Sequence, residues 1–494
     1  MDNENEEEKM DDIYLDETHL RKQADEMITR EHMTSNGAAR RFMDGNFKDF
    51  RYVIEWKKWL FWDGKRWSRK RGESELGQRA RKFTMNEWKK LAESKLSAEE
   101  RTEFIRYAKQ INDGGQIAKL MKLAAYDSRV AISQDELDQE KYLLNCGNMT
   151  FDLETGKPHK HQQEDLITQV LSVPYVEGAE CTEWLKFLDL AFGGSEDLIR
   201  YVQVITGYTL AGTIDEAIVP ICIGGGRNGK STFWNTLAAI LGDYAGTVSQ
   251  DLLLPTKNQH PTEIADLKGK RFVAVEEPEA GRRIHESKIK AMTGDNVLKA
   301  RRMGEDFWEF TPTHTFWIPT NHLPQITGTD EGIWRRIKAV PFNVDLADVV
   351  AVDPQFRDKL EKEYPGILYW AIQGWQDYQR ITADPDNSLI GIEPDEVKEA
   401  TAQYRNNENE FQQFLDQVVI VAEGRYIESA DAFNRYCEFE RNLMKQLSRK
   451  NFGIEMGKRF QKKKWKKDGV FKDKIVYFGV GDLLDKHTGM PIKD

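Results

Sequence analysis

Cysteine and long apolar runs are scarce in this chain of 494 residues. The four cysteines lie far apart and form no C-x-x-C pair, which excludes a zinc ribbon or a disulfide framework as the basis of the fold. No uninterrupted apolar run approaches the roughly 18 residues that a membrane-spanning helix needs, and the acidic N-terminus lacks the apolar segment of a secretory signal. We therefore expect a cytoplasmic protein of several domains with no membrane partner.

A positive net charge is also lacking. The formal charge of −11 at pH 7 argues at first against a protein that binds nucleic acid. Residues 1–20 alone, however, contain nine acidic side chains and one lysine, so most of the negative charge lies there. We predict an acidic, disordered tail over residues 1–35, and local basic clusters must decide whether DNA binds.

A glycine-rich segment, residues 224–232, follows the short apolar run Ile218–Ile223. It fits the pattern G-x-x-x-x-G-K-[ST], in which backbone N–H groups and the start of the next helix face one anion. Lys230 would then reach the β- and γ-phosphates of ATP, and Ser231 would ligate Mg²⁺. The alternative is a glycine-rich turn with a chance lysine, but the helical pattern that follows favours a nucleotide site. The predicted ATP-binding residues are Gly224, Gly225, Gly226, Arg227, Asn228, Gly229, Lys230, Ser231 and Thr232.

Polar residues also end two further apolar runs. Glu276 and Glu277 end the run that begins at Lys270, and one carboxylate would hold Mg²⁺ while the other orients or deprotonates the attacking water. Asn321 ends the run that begins at Thr313, and its amide would sense the γ-phosphate. A turn-forming asparagine explains Asn321 equally well.

Two adjacent arginines, Arg335 and Arg336, precede the strand-like run Ile337–Phe342. A planar guanidinium that is always charged suits a finger inserted into the site of a neighbouring subunit. A surface ion pair is the alternative, and the sequence does not choose between the two arginines.

A basic hairpin is predicted between the acidic pair and Asn321. Its strands would be Asn296–Arg302 and Phe307–Phe310, and it carries the cations Lys299, Arg301 and Arg302. Such a hairpin from each subunit of a ring could contact the phosphates of a single strand. Exposed hairpins are often basic for solubility alone, which is the alternative.

The C-terminal segment 405–482 reads as three helices followed by two strands, Gly469–Phe471 and Ile475–Val480, which is the order of a winged helix-turn-helix. Residues 441–474 contain 13 basic and three acidic side chains, so we predict contacts with duplex phosphates. A solvated, lysine-rich helix face is the alternative. The predicted contacts are Lys462, Lys463, Lys464, Lys466 and Lys467.

The region before the glycine-rich segment mixes strand and helix patterns. Residues 47–70 predict two strands around an Asp63-Gly64 turn, whose aromatic side chains would fill the two faces of a small sheet or, alternatively, stack on bases. Leu166–Val173 is predicted as a strand, and helices are predicted over 182–192 and 195–210.

Taken together, these motifs resemble superfamily 3 helicases of the phage, plasmid and poxvirus primase-helicase type. The resemblance implies an AAA+-like core that forms a hexameric ring, hydrolyses ATP between subunits and moves 3′ to 5′ on single-stranded DNA. It also implies the roles given above for the candidate residues Lys230, Ser231, Glu276, Glu277, Asn321 and Arg335 or Arg336. Lys290 and Asp295 match a further motif of the family, which faces DNA or the nucleotide. The matching strings are 224–233, 275–279, 290–295 with 300–302, 320–324 and 334–336 leading to 341–342.

The fold class predicted overall is an α/β AAA+-like P-loop ATPase core with a mostly helical N-terminal region and a C-terminal winged-helix domain. The function expected is that of a DNA-dependent ATPase and replicative helicase from a phage or mobile element in a bacterial host. Its partners would be single-stranded and forked DNA, further copies of the chain and a separate primase, since no primase-polymerase metal cluster is recognisable. The alternatives are an origin-binding initiator or loader and, more remotely, an ATP-dependent switch unrelated to DNA. The predicted units are the tail 1–35, the accessory region 36–210, the core 211–345, a helical segment and linker 346–396, and the DNA-binding domain 397–494.

Overall fold

The computed structural model describes most of the chain from residue 33 onward. Predictions for residues 1–32, and for Lys466 and Lys467, lie outside the described residues, as do the side chains of Lys462, Lys463 and Lys464. The described ranges are 33–93, 97–254, 262–277, 283–303, 306–326, 331–346, 353, 355–384, 387–408, 410–441, 447–465 and 474–482.

Helices and strands alternate along the described part of the chain. The helices are α1 Ser35–Asp44, α2 Arg69–Glu93, α3 Ala98–Ile111, α4 Gly114–Ala124, α5 Thr182–Ala191, α6 Glu196–Ala211, α7 Lys230–Leu241, α8 Thr262–Ala265, α9 Glu286–Gly294, α10 Glu331–Trp334, α11 Phe356–Lys362, α12 Tyr364–Ile381, α13 Asp395–Glu408, α14 Glu410–Val418, α15 Ser429–Phe439 and α16 Arg449–Arg459. The strands are β1 Phe50–Val53, β2 Lys58–Trp62, β3 Trp67–Ser68, β4 Ala131–Ile132, β5 Leu143–Asn145, β6 Thr150–Asp152, β7 Lys157–His159, β8 Val219–Ile223, β9 Ala245–Val248, β10 Phe272–Val275, β11 Leu298–Ala300, β12 Trp308–Phe310, β13 Thr315–Thr320, β14 Ile337–Pro341, β15 Val419–Glu428, β16 Gln461–Trp465 and β17 Lys474–Asp482.

The first sheet has the order β3-β2-β1-β4, and the predicted Asp63-Gly64 turn connects β2 to β3. Phe50, Trp59 and Phe61 are buried on one face against the surrounding helices, and Trp67 is buried in a smaller cluster on the other face. These aromatic side chains therefore fill the faces of a small sheet, as the sequence analysis favoured, and are not available as a stacking platform.

The strand predicted over Leu166–Val173 is wrong. The segment has no regular structure, because its backbone groups bond to several separate elements instead of to one partner strand. The Leu171 N–H donates to Asn145 O at 2.8 Å, whereas the next N–H, that of Ser172, donates to Ile240 O in α7 at 3.1 Å. The segment joins the N-terminal region to the helix of the glycine-rich segment.

The central sheet has the order β14-β8-β13-β10-β9, and all its neighbouring strands are parallel. Successive side chains of a strand point to opposite faces, and in β13 Trp317 packs with α7 and α12 while Phe316 and Ile318 pack with α9 and the β11–β12 hairpin. Both faces of the sheet are covered, which explains the continuous apolar runs that mark these strands in the sequence.

Helices α6 and α12 pack against one face of this sheet and approach each other at glycine. A Cβ added at Gly207 would lie 2.1 Å from Trp375 N, and one added at Gly374 would lie 2.1 Å from Gln203 O. The absence of a side chain at these two glycines thus lets the backbones of α6 and α12 come into contact.

The C-terminal segment is built from α14, β15, α15, α16, β16 and β17, with the sheet order β15-β17-β16. Its core contains Phe414, Tyr436, Phe452, Met456 and Tyr477. The strand predicted over Gly469–Phe471 lies outside the described residues, whereas the strand β16, Gln461–Trp465, was not predicted. Residues 462–464 therefore belong to a strand and not to a lysine-rich helix, while β15 was missed because it follows α14 without a turn signal.

Candidate nucleotide-binding site

The residues predicted to act on nucleotide follow three neighbouring strands of the central sheet. Gly224 follows β8, Glu276 follows β10 and Asn321 follows β13. Because these strands are parallel, their carboxyl ends share one edge of the sheet, which is where open α/β sheets bind ligands. Motifs that are about a hundred residues apart along the chain therefore lie side by side.

The loop between β8 and α7 has a backbone that requires glycine at two positions. Gly226 and Gly229 have φ angles of 100° and 85°, in the left-handed region where side chains are strained. A Cβ at Gly229 would also lie 2.6 Å from the ring of Phe187. The loop then enters α7, whose first N–H groups have no partner within the helix and face out of its start.

Lys230 occupies the centre of the site. Its Nζ donates to Gly224 O at 2.7 Å, to Asn228 Oδ1 at 3.1 Å and to Asn321 Oδ1 at 3.1 Å. The acceptors are neutral and the side chain is buried, so burial lowers the pKa of Lys230, although the charge of nearby Glu277 opposes that shift. A buried ammonium held only by neutral oxygens has a strong attraction for an anion.

The acidic pair lies beside this lysine. Glu277 Oε1 accepts a hydrogen bond from Asn321 N at 2.7 Å, so the second carboxylate and the predicted sensor are in direct contact. Glu276 and Glu277 are both exposed, as is Ser231 in the first turn of α7. Carboxylate and hydroxyl oxygens of this kind suit Mg²⁺, which binds hard oxygen ligands.

The remaining loop residues surround this centre. Asn228 is buried and its Nδ2 donates to Phe342 O at 2.9 Å, which ties the loop to the end of β14. Arg227 pairs with Asp345 at 2.8 Å, while Gly225 is exposed and Thr232 is half-buried. Sequence reasoning missed Asp345 and Phe342, because nothing in the segment after β14 signals contact with a loop 114 residues earlier.

The two candidate arginines have different environments. Arg336 is 8% exposed, its Nε donates to Thr293 Oγ1 at 3.1 Å, and its Nη1 bonds to Gly332 O. These contacts hold the guanidinium against α9 and α10 of the same chain. Arg335 is exposed at the surface, as a finger must be.

The predicted hairpin is confirmed as the antiparallel pair β11–β12. Lys299 and Arg301 are exposed on it, whereas Arg302 is half-buried. Lys290 is half-buried in α9, away from the hairpin strands. Of the four predicted DNA contacts in the core, Lys299 and Arg301 are therefore the ones that combine charge with full access.

Comparisons with known families cover most of the described core and N-terminal region. Residues 39–193 match the family described as D5 N terminal like, and residues 222–336 match a family of unknown function. The first of these matches supports a relation to phage and viral primase-helicases of the D5 type. The second match begins next to Gly224 and ends at Arg336, so it spans the motifs gathered around Lys230.

Relatives of this family come from large DNA viruses. The chain is 28% identical over 241 residues to "Putative helicase L207/L206" of Acanthamoeba polyphaga mimivirus, which covers 48% of this chain and 25% of the relative. It is 25% identical over 256 residues to "Putative helicase 022R" of Frog virus 3, a match that covers 48% of this chain and 26% of the relative. It is 27% identical over 214 residues to "Putative primase C962R" of African swine fever virus, a match that covers 41% of this chain and 22% of the relative. The matched part spans about a quarter of the length of these relatives.

Among solved structures, the apo C-terminal region of NrS-1 aligns with a TM-score of 0.39 at 14% identity, covering 63% of this chain and 78% of that one.

In the described part of the chain, no helix combines the length and the apolarity that crossing a membrane requires.

Proposed function

We propose that the protein is a DNA-dependent ATPase that works as a replicative helicase of a phage or mobile genetic element. In this proposal a ring, hexameric by the family resemblance, moves along single-stranded DNA in the 3′ to 5′ direction. The observation that carries it is the contact chain from Glu277 through Asn321 to Lys230, which joins three motifs at one edge of a parallel sheet.

Each side chain in this chain of contacts has a role in the proposed ATP hydrolysis. Lys230 would exchange its neutral acceptors for the β- and γ-phosphates. Glu277 would orient the attacking water, and Asn321, which touches both Glu277 and Lys230, would respond to the presence of the γ-phosphate. Bound Mg²⁺ would neutralise phosphate charge, with Ser231 and Glu276 as its protein ligands.

Arg335 would complete the site of a neighbouring subunit. Its exposure and its place at the end of α10, just before β14, support this role, because a finger must leave its own subunit. The exposed cations Lys299 and Arg301 would contact the phosphates of the strand that is moved.

The C-terminal segment supports a winged-helix domain that binds DNA. One helix and one strand are followed by two helices and two strands, and the last strand, β17, lies in the middle of the sheet. This is the chain order of a winged helix-turn-helix, with β16 and β17 as the wing. The lysines 462–464 in β16, together with Lys466 and Lys467, would then contact duplex phosphates beside the fork.

Unwinding of forked duplexes, run beside a particle-mass measurement with and without ATP, tests the proposal. We expect a fork with a 3′ single-stranded tail to open and a fork with only a 5′ tail to stay closed, with a mass several times that of one chain when ATP is bound. Lys230→Ala should abolish unwinding. A chain that stays monomeric and opens neither fork would overturn the proposal.

A second candidate function is an origin-binding initiator or loader, which the C-terminal helix and sheet order favours. That function requires sequence-selective binding of duplex DNA, with ATP driving assembly on the duplex. Selection of bound fragments from a random duplex library by the full chain separates the two: enrichment of one sequence without unwinding favours the initiator, whereas unselective binding with unwinding favours the helicase.

A further inference from the structure

The β11–β12 hairpin has one buried and one open face. Its register pairs Leu298 with Phe310, Lys299 with Glu309 and Ala300 with Trp308. Leu298, Ala300 and Phe310 are buried in the core under the sheet. The alternate positions, which include Lys299, Arg301 and Glu309, are exposed on the other face.

An aromatic side chain lies on this open face. Phe307 precedes β12, and its ring is 52% exposed, although the core beneath the hairpin is already filled from the opposite face. The turn beside it exposes a second large apolar side chain, Met303, of which 88% is accessible. A half-exposed phenylalanine next to a hairpin turn adds little to folding and is a candidate contact for a ligand.

Two cations lie close to this ring. Lys299 Nζ and Arg301 Cζ each lie 5.4 Å from the centre of the Phe307 ring. Glu309 shares the face, and Asp306, which is also exposed, precedes the ring, but Lys299 and Arg301 are the charges that lie beside it. A flat, half-exposed ring with two positive charges beside it fits an unpaired nucleotide, which offers a base to stack and phosphates next to it. A duplex does not fit, because its bases are stacked inside.

We propose that Phe307 is a base-stacking residue for single-stranded DNA. One unpaired base lies on its ring, while Lys299 and Arg301 hold the neighbouring phosphates. This inference rests on the proposed function only in that a single strand must reach the hairpin. It adds that the hairpin grips the strand through its bases as well as through its charge.

Binding of single-stranded DNA by the full-length chain tests this role with two oligonucleotides of equal length, one normal and one with abasic sites throughout. We expect Phe307→Ala to weaken binding of the normal strand by about 5- to 150-fold, the range for losing one stacked base. On the abasic strand the same substitution should change nothing. Phe307→Trp should bind the normal strand at least as well as the unmodified chain.

The dependence of binding on salt separates stacking from charge. Lys299→Ala should reduce the slope of log affinity against log salt by about 0.7, whereas Phe307→Ala should leave it unchanged. Tyr126→Ala is a matched control, because it removes a ring that is 76% exposed in the N-terminal region, and it should affect neither strand.

Two outcomes would overturn the inference, and only the second would also overturn the proposed function. If Phe307→Ala weakens the normal and abasic strands equally, or neither, the stacking role is wrong while the helicase proposal stands. If the unmodified chain binds no single-stranded DNA at all, the proposed function fails as well.

Discussion

Replacing Gly224 with alanine is expected to distort the glycine-rich loop before any nucleotide binds. The added Cβ would lie 2.0 Å from Asn228 Nδ2 and 2.3 Å from Phe342 O. These two atoms are hydrogen-bonded to each other at 2.9 Å in a buried position, so neither can move away without losing its partner.

Two costs combine in this variant. Forcing one methyl group into a filled site costs about 1–3 kcal/mol, and loss of the hydrogen bond between Asn228 and Phe342 costs about 1 kcal/mol more. We therefore expect Gly224→Ala to lower the free energy of unfolding by about 2–4 kcal/mol. Because Asn228 also accepts from Lys230, ATP affinity should fall with it.

Urea unfolding of the nucleotide-free chain, followed by tryptophan fluorescence, measures the loss. Gly225→Ala is the matched control one residue away, since a Cβ there has no atom within 4 Å and its backbone lies outside the left-handed region. We expect the control to unfold like the unmodified chain. Equal stability of the two variants would refute the geometry deduced for this loop.

Three other expectations follow from buried or exposed charges. Arg335→Ala should leave stability unchanged but abolish ATP turnover, and mixing it with Lys230→Ala chains should restore part of the activity. Arg336→Ala should instead lower the free energy of unfolding by about 2–4 kcal/mol, because the buried Thr293 Oγ1 and the partly buried Gly332 O lose their donor. Lys338 and Glu393 form a buried ion pair, with 5% and 8% of their side chains exposed. Lys338→Met alone should lower the free energy of unfolding in urea by about 3–5 kcal/mol, because Glu393 is left as an unpaired buried charge. The double variant with Glu393→Leu should recover most of that loss. Burial lowers the pKa of His314 from 6.5 to about 3, so the unfolded chain binds one more proton than the folded chain between these two pH values. The free energy of unfolding should therefore fall by about 1 kcal/mol per pH unit as the pH drops below 6.5. A parallel pH series on His314→Leu should lack that part of the slope.

The strands that precede the candidate site residues could be predicted because each has two signals in the sequence. An apolar run identifies β8, β10 or β13, and the polar residue after it identifies the active edge of the sheet. The order of the strands was not available from these runs, and that order is what brings Glu277 to Asn321 and Asn321 to Lys230. The resemblance to a helicase family implied the same grouping.

Other contacts depend on tertiary packing that no local pattern signals. Arg335 and Arg336 are adjacent and chemically alike, and only the packing of Arg336 against Thr293 separates them. Phe307 looked like an ordinary strand aromatic, because alternation predicts which residues share a face but not which of the two faces is covered. The strand β16 was not predicted, since a run of lysines has low strand propensity and its pairing with β17 decides its conformation.

The rate of ATP hydrolysis with and without single-stranded DNA tests the central claim most directly. We expect the unmodified chain to hydrolyse ATP, to do so faster when single-stranded DNA is added, and to lose both activities in Lys230→Ala. Glu277→Gln should bind ATP without turning it over, and Lys299→Ala should keep the basal rate but lose the stimulation. Hydrolysis that continues unchanged in Lys230→Ala, or that no polynucleotide stimulates, would contradict the account.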